Sequence, residues 1–157
     1  LGTDGKGACN LIIPAGGTRQ PRSPDSDVAV QDGSGNVRSR KDLFMNGAEI
    51  FAFSLKRVPE AVGQLLTTAG LAQEQVDWFV FHQANRFMLE HLRTKLNIPP
   101  EKMCYFHEKV GNTVSSTIPL TLEDGMRTAR FKPGDRLLLV GFGVGYSWGA
   151  TLLTWTG

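Results

Sequence analysis

The sequence has 157 residues, enough for one domain with a sizeable buried core. Its 17 basic and 15 acidic residues leave a formal net charge of +2, which excludes nucleic-acid binding driven by bulk charge. No apolar run has the length of a membrane span and no signal-peptide pattern opens the chain, so a cytoplasmic protein rather than a membrane protein is expected.

The first residues indicate a part of a longer protein. The chain starts on Leu1 without a methionine and passes directly into the segment DGKGACNLIIP, which is typical of a strand inside a domain. We therefore expect residues 1–157 to form one domain of something longer. The two cysteines, Cys9 and Cys104, form no CxxC pair, so neither a metal site nor a disulfide framework is predicted. Both are expected to be core residues without a catalytic role.

The first half of the chain predicts one strand, a long polar excursion and one helix. Residues 8–13 are apolar and end at Pro14, which predicts a strand. Residues 14–42 are polar and predict a surface excursion with a short strand at 27–31. Apolar residues recur at helical spacing over 46–68, so we expect a helix there, kinked or divided by Pro59.

The second half alternates between strands and helices. Together with the first strand, these elements predict an α/β fold in which helices cover a mixed five-stranded sheet that ends in an antiparallel hairpin. The elements expected, in chain order, are a buried strand at 76–81, a helix at 84–96, a short strand at 103–106, a helix buried between two layers at 112–130, and the hairpin strands at 136–141 and 146–154.

His82 stands where the buried strand at 76–81 ends and a polar turn begins. Buried strands of α/β folds release their reactive side chains at this end, where the following loops form a cleft. A histidine in such a cleft can exchange protons or donate a hydrogen bond near neutral pH. A lone histidine at a strand end is more often structural, so the assignment of a catalytic role depends on other motifs.

Four motifs occur together and in order: HQAN at 82–85, GNT at 111–113, KPGD at 132–135 and GFGVGYSWG at 141–149. Any one of them is a weak signal, but HQAN and GNT at this separation are specific. In these motifs the chain resembles the carboxyl-terminal half of β-ketoacyl-acyl carrier protein synthase III, a thiolase-like condensing enzyme. The likeness covers nearly the whole chain and is weakest over 18–41.

The resemblance implies a thiolase-like half and a decarboxylative Claisen condensation of acyl-CoA with malonyl-acyl carrier protein in fatty acid biosynthesis. His82 and Asn112 would then be catalytic, because two neutral N–H donors stabilise the enolate oxygen formed by decarboxylation. Asn112 also fits a helix cap, and one rotamer does not easily serve both roles. No metal or cofactor is implied beyond the coenzyme A or phosphopantetheine that the substrates carry.

The resemblance also implies substrate-binding positions. Asn85 and Gly47 match residues beside the pantetheine arm, although Asn85 also fits a helix cap and Gly47 fits helix-entry geometry. Val144 matches a position whose backbone N–H stabilises a tetrahedral intermediate; many family members have glycine there. Arg86 is a candidate for docking the acidic carrier protein, but it lies one residue before the family's basic position, and a solvated helix face is the simpler interpretation.

The family's nucleophilic cysteine lies in the amino-terminal half, which this chain lacks. The resemblance therefore implies a partnership with that half, inactivity of the chain alone, and a homodimer when complete. Two alternatives stay open: a synthase III-like acyltransferase or secondary-metabolite condensing enzyme, and a non-catalytic thiolase-like partner subunit. Retention of both His82 and Asn112 argues against the second, because a purely structural subunit has no evident need for two converging donors.

Overall fold

Eight strands and four α-helices form the regular structure of the computed structural model, which describes all 157 residues. The strands are β1 (Gly2–Thr3), β2 (Leu11–Ile12), β3 (Val30–Gln31), β4 (Val37–Arg38), β5 (Phe44–Met45), β6 (Trp78–Phe81), β7 (Arg136–Gly143) and β8 (Ser147–Thr154). The helices are α1 (Gly47–Ala69), α2 (Arg86–Lys95), α3 (His107–Val110) and α4 (Thr117–Arg127). No helix is both long and apolar enough to cross a bilayer.

The main sheet has four strands in the order β1-β8-β7-β6. β6 and β7 run parallel, while β8 pairs antiparallel with both β7 and β1. The sheet is therefore mixed and closes with the hairpin β7–β8, as the sequence predicts. β6 ends at Phe81, opposite Val140, and β7 continues to Gly143. Side chains that follow β6 and those near the end of β7 consequently lie at the same edge.

The prediction of a fifth strand in the main sheet at 103–106 was wrong. Met103 forms only a single parallel bridge with Phe79. The backbone N–H of Cys104 still donates to Phe79, but the N–H of Phe106 donates to the side chain of Gln83 instead of to a strand. A side-chain partner therefore replaces the strand ladder that an extended segment would need.

The predicted strand at 8–13 was also mostly wrong. Residues Gly5–Asn10 form a 3₁₀ helix, whose first turn is capped by the side chain of Asp4. Gly7 is required there because a Cβ would collide with the ring of Tyr146. Only β2 is extended, and it pairs with β5 outside the main sheet. Because the 3₁₀ turn directs it outward, Cys9 is exposed rather than in the core.

The remaining predicted elements are present, with adjusted bounds. The polar excursion holds a two-stranded hairpin, β3–β4, which shortens the strand predicted at 27–31. Helix α1 begins after its cap Asn46 and ends at Gly70, whose φ is 64°. Pro59 lies inside α1 without dividing it. The helix predicted at 112–130 begins as a 3₁₀ turn, Val114–Ser116, before α4. It is not buried between two layers as predicted, because this turn and Met126 of α4 are exposed.

The core lies on both faces of the main sheet. On one face α1 and α2 pack against the sheet, and Phe79 and Phe81 of β6 point into this larger cluster. On the other face Val80 belongs to a smaller cluster that contains Cys104, so Cys104 is the core residue that the sequence predicts. Alternate residues of β6 thus face opposite layers, as side chains of a strand do. The sheet edge that follows β6 is held rigidly between these layers.

Candidate active site at the carboxyl end of the sheet

His82 is fixed at the carboxyl edge of the two parallel strands. Its backbone N–H donates to the carbonyl oxygen of Val140 at 2.8 Å, which extends the β6–β7 ladder by one bond. The half-buried imidazole meets the ring of Phe142 edge-on, with the centroids 5.4 Å apart and the planes at 86°. The imidazole is therefore oriented by two neighbouring strands.

The first residue of α4 forms the third side of this site. Thr117 is buried, and its Oγ1 lies 2.8 Å from Nδ1 of His82. The same Oγ1 lies 3.0 Å from the carbonyl oxygen of Val114, which also accepts the backbone N–H of Thr117. The imidazole therefore engages the protein through Nδ1 and leaves Nε2 for another partner.

The surroundings of His82 favour its neutral form. Burial lowers the pKa of the imidazole below the ordinary value for histidine, and a hydrogen bond with the backbone of Val114 opposes this shift. A neutral imidazole carries one N–H donor and one lone-pair acceptor. Near pH 7 the ring can therefore present a donor without introducing a positive charge into the site.

Asn112 is oriented by its own loop. Gly111 before it has a φ of 70° and a ψ of −162°, a conformation that glycine adopts easily. The Asn112 Oδ1 accepts the backbone N–H of Val114 at 2.9 Å. Neither the 3₁₀ turn nor α4 is capped by this side chain. The local hydrogen bond occupies the amide oxygen, and the amide NH2 has no partner in the chain. The NH2 can therefore donate to another group while the oxygen holds the loop.

A chain of short polar contacts through Val114 and Thr117 connects Asn112 to His82. The Asn112 Oδ1 bonds the N–H of Val114, the carbonyl of Val114 lies within bonding distance of the Thr117 hydroxyl, and that hydroxyl contacts Nδ1 of His82. Both side chains are thus tied to the single turn that leads into α4. This arrangement can hold two neutral N–H donors in a constant relation at the sheet edge.

The other predicted site residues form no hydrogen bond with His82. Asn85 caps α2, since its Oδ1 accepts the N–H of Met88 at 2.8 Å. Gly47 is the exposed first residue of α1, and a Cβ built on it would have no neighbour within 4 Å. Val144 lies in the β7–β8 turn with 54% of its surface exposed. Arg86 forms an exposed ion pair with Glu108.

Sequence reasoning missed three residues of the site. Thr117 and Phe142 contact the His82 ring, and Gln83 is fully buried directly behind it. The Gln83 amide donates to two backbone carbonyls, and its oxygen accepts the N–H groups of Phe106 and His107. The available signal was an amide side chain immediately after a buried strand, where an unpaired polar group would be costly.

Two cavities lie elsewhere on the chain, and neither is lined by His82 or Asn112. One has a volume of about 380 Å³ and is lined by residues of α1 and α2. A second cavity of about 290 Å³ lies where β6 and β7 begin, at the opposite edge of the sheet from His82. No group of three or more His, Cys, Asp or Glu side chains is arranged to hold a metal ion.

Comparison with known proteins identifies the family. Residues 66–155, more than half of the chain, match the model of a family described as 3-oxoacyl-[acyl-carrier-protein (ACP)] synthase III C terminal. The chain belongs to this family. The matched residues contain β6, His82, Asn112, α4 and the closing hairpin. The resemblance inferred from HQAN and GNT is therefore confirmed.

Related sequences place the chain within larger proteins. The β-ketoacyl-[acyl-carrier-protein] synthase III 1 of Bacillus anthracis is 39% identical over 154 residues, which are 97% of this chain and 48% of that protein. The synthase III of Rhodopirellula baltica is 36% identical over 155 residues, covering 99% of this chain and 42% of that protein. The chain thus spans about half the length of the curated relatives it matches, or less.

Solved structures of the family share the fold. A crystal structure of a 3-oxoacyl-(acyl-carrier-protein) synthase III has 53% identity and a TM-score of 0.95, covering 98% of this chain and 46% of that one. A 3-oxoacyl-(acyl-carrier protein) synthase from Burkholderia xenovorans has 40% identity and a TM-score of 0.84, covering 99% of this chain and 43% of that one. The fold is therefore the thiolase-like α/β fold that the motifs imply.

Proposed function

We propose that this chain is the enolate-stabilising part of a synthase III condensing enzyme. The complete protein would join an acyl group from acyl-CoA to malonyl-acyl carrier protein, with loss of carbon dioxide, in fatty acid biosynthesis. The observation that carries this proposal is the hydrogen-bonded turn that links His82 to Asn112 and leaves the Asn112 amide NH2 without a partner. An acyltransferase that does not decarboxylate has less need of this pair.

The chemistry requires donors of this kind. Loss of carbon dioxide from a malonyl thioester leaves an enolate, and negative charge builds on the thioester oxygen. In this proposal Nε2 of His82 and Nδ2 of Asn112 each donate an N–H to that oxygen. Loss of one such donor costs about 3–4 kcal/mol of barrier in other enzymes. The lowered pKa of His82 fits a neutral donor that is preorganised before charge develops.

Binding of the substrates is assigned to the residues around the site. Asn85 and Gly47 would lie along the pantetheine arm, and the backbone N–H of Val144 would stabilise the tetrahedral intermediate of acyl transfer. The Asn85 cap uses only its amide oxygen, so its NH2 is free to contact the arm. Arg86 would meet the acidic carrier protein, although Glu108 already neutralises its charge in this chain.

The remaining parts of the proposed enzyme come from outside this chain. The amino-terminal half would supply the nucleophilic cysteine and the second wall of the cleft, and the complete protein would form a homodimer in the cytoplasm. The substrates carry the only coenzyme groups that the reaction requires, namely coenzyme A and phosphopantetheine. This division of labour fits the coverage of the relatives, since each matched segment is about half of the longer protein or less.

Malonyl decarboxylation and condensation by the complete protein test the proposal. His82→Ala and Asn112→Ala should each lower the decarboxylation rate by about 100- to 1,000-fold, because each removes one oxyanion donor. His91→Ala is the matched control, since that exposed imidazole bonds only the Phe87 carbonyl on α2. Decarboxylation that continues undiminished in both variants would contradict the proposed roles and favour a non-catalytic subunit.

A further inference from the structure

We propose that Thr117 is a positioning residue whose hydroxyl donates its proton to Nδ1 of His82 and thereby fixes the His82 proton on Nε2. Its catalytic consequence rests on the proposed function, in which Nε2 of His82 donates to the enolate. The direction of the hydroxyl proton is inferred from that same role, whereas the tautomer is measured without an activity assay. Thr117 acts through the imidazole and has no direct contact with substrate in this proposal.

The acceptors around the Thr117 hydroxyl are compatible with donation of its proton to Nδ1 of His82. The hydroxyl has one proton and two neighbouring acceptors, Nδ1 of His82 at 2.8 Å and the carbonyl oxygen of Val114 at 3.0 Å. The carbonyl of Val114 already accepts the backbone N–H of Thr117. Donation to Nδ1 gives that lone pair a donor, and the carbonyl keeps the backbone N–H of Thr117. The opposite orientation, in which an Nδ1–H donates to the hydroxyl and the hydroxyl donates to the carbonyl, pairs the same atoms but leaves a lone pair on Nε2, where the proposed function requires an N–H.

The packing keeps this contact in place. Thr117 is 1% exposed, so its hydroxyl has no water with which to exchange partners. Phe142 contacts the imidazole edge-on, which restricts rotation of the ring away from the hydroxyl. Burial also favours the uncharged imidazole, in which one nitrogen has a lone pair to accept the hydroxyl proton.

The Val114 carbonyl influences which tautomer His82 adopts when the Thr117 hydroxyl is absent. The Thr117 hydroxyl contacts both this carbonyl and Nδ1 of His82. If Thr117 offered no proton, the Nδ1 lone pair would lose its donor, and the tautomer with the proton on Nδ1 would become favoured. Nε2 would then present a lone pair toward the negative oxygen, which repels rather than stabilises it. The hydroxyl thus selects between a donating and a repelling histidine.

The test uses the complete protein with Thr117→Val, which keeps the β-branched shape and removes the hydroxyl, and Thr117→Ser, which keeps the hydroxyl. Thr121→Val is the matched control, because Thr121 is a buried threonine one turn later whose hydroxyl bonds the Thr117 carbonyl instead of a histidine. The tautomer is measured by ¹⁵N NMR of labelled imidazoles, and malonyl decarboxylation is measured in parallel. Circular dichroism confirms that each variant is folded.

We expect the unaltered protein to carry the His82 proton on Nε2. Thr117→Val should move it toward Nδ1 and lower decarboxylation about tenfold, the effect of one lost hydrogen bond of ordinary strength. Thr117→Ser and Thr121→Val should keep both the tautomer and the rate. A proton on Nδ1 in the unaltered protein overturns the inference, as does an unchanged tautomer in Thr117→Val.

The two proposals fail separately. If Thr117→Val shifts the tautomer while His82→Ala leaves decarboxylation intact, the positioning role stands and the proposed function falls. If His82→Ala abolishes decarboxylation while Thr117→Val changes neither the tautomer nor the rate, the proposed function stands and the positioning role falls. The NMR measurement on the unaltered protein needs no variant, so it tests the inference even if Thr117→Val does not fold.

Discussion

The side-chain oxygen of Asn112 accepts the backbone N–H of Val114 at 2.9 Å. An aspartate at position 112 could accept the same N–H, but an ionised carboxylate has no proton to donate. In the complete protein, Asn112→Asp should therefore leave the fold intact while decarboxylation falls by about 100- to 1,000-fold, the cost of the one oxyanion donor that the proposed function assigns to Asn112. A malonyl decarboxylation assay, together with a thermal melt of the same variant, checks both halves of this prediction.

The control for Asn112→Asp is Asn36→Asp, which makes the same chemical change in the exposed β3–β4 hairpin. Its decarboxylation rate should equal that of the unaltered protein. If Asn112→Asp decarboxylated at the same rate as the control, the Asn112 amide NH2 would not be a donor to the enolate oxygen.

Gln83 lies directly after His82, and its replacement should strongly reduce the stability of the protein. Its amide satisfies two carbonyls and two N–H groups, and it is fully buried. Gln83→Leu keeps a similar volume but leaves these backbone groups unpaired, so we expect a loss of about 3 kcal/mol in the free energy of unfolding. Urea denaturation measures this loss.

Gln73→Leu is the matched control for Gln83. The half-buried Gln73 makes a single bond to the carbonyl of Leu96, so its replacement should cost about 1 kcal/mol or less. If the two variants unfolded at the same urea concentration, the four hydrogen bonds of Gln83 would contribute no more to stability than the single bond of Gln73.

How far the sequence predicts the fold depends on whether a segment is decided by its own pattern or by distant partners. Helix α1 and the hairpin β7–β8 were predicted because apolar periodicity reports which face is buried. Residues 8–13 were predicted wrongly because the side chain of Asp4 and the ring of Tyr146 favour a 3₁₀ turn there. The fifth strand was predicted wrongly because Gln83, more than 20 residues away, takes the N–H of Phe106.

In the candidate site, too, some residues can be predicted from local motifs and others only from the fold. The motifs identify His82 and Asn112 as a pair, and the structure adds how each is held. Thr117 was unpredictable as a partner of His82 because 35 residues separate them and only the fold brings them together. A sequence also does not show which atom of a side chain is in use: Asn112 caps no helix, and its local hydrogen bond uses only the amide oxygen, which leaves the NH2 unpaired.

The ion pair between Arg86 and Glu108 predicts how carrier protein binding can be tuned. Both side chains are exposed, at 69% and 61%, and Glu108 competes for the cation that an acidic carrier protein would use. Glu108→Ala should lower the KM for malonyl-acyl carrier protein about two- to threefold at low salt, a size typical of one exposed pair. Steady-state kinetics at two ionic strengths measure the change.

A double variant decides whether Arg86 is the cation involved. Arg86→Ala combined with Glu108→Ala should remove the gain in KM. A gain that persists without Arg86 would assign it to the lost negative charge of Glu108 alone, and Arg86 would be a residue of the solvated helix face.

Asp124 predicts a dependence of stability on pH. Its side chain is 5% exposed and contacts Lys109 at 2.9 Å and Arg127 at 3.3 Å. Lys109 first, and Arg127 after it, hold the pKa of Asp124 below its ordinary value. The stabilisation is therefore present above that ordinary value and is lost as pH falls through the pKa of the folded state.

Asp124→Asn should accordingly reduce the free energy of unfolding by about 1–2 kcal/mol at neutral pH, and the difference should shrink in acid. Denaturation at several pH values between about 7 and 2 measures it. Glu123→Gln, at an exposed neighbour that forms no ion pair, should show no such difference. A constant gap between Asp124→Asn and the unaltered protein at all pH values would contradict the role of the ionised carboxylate.

Two glycines in helices predict opposite effects of one substitution. A Cβ on Gly125 of α4 would collide with the ring of Phe131, which packs against Trp78 and Trp155. Gly125→Ala should therefore destabilise the protein by about 1–3 kcal/mol, because the ring must move within a packed cluster. A Cβ on Gly63 of α1 would meet nothing within 4 Å, so Gly63→Ala should stabilise it by about 0.5–1 kcal/mol through helix propensity. Thermal melts of the two variants compare them directly, and stabilisation by both would show that the Phe131 ring moves at little cost.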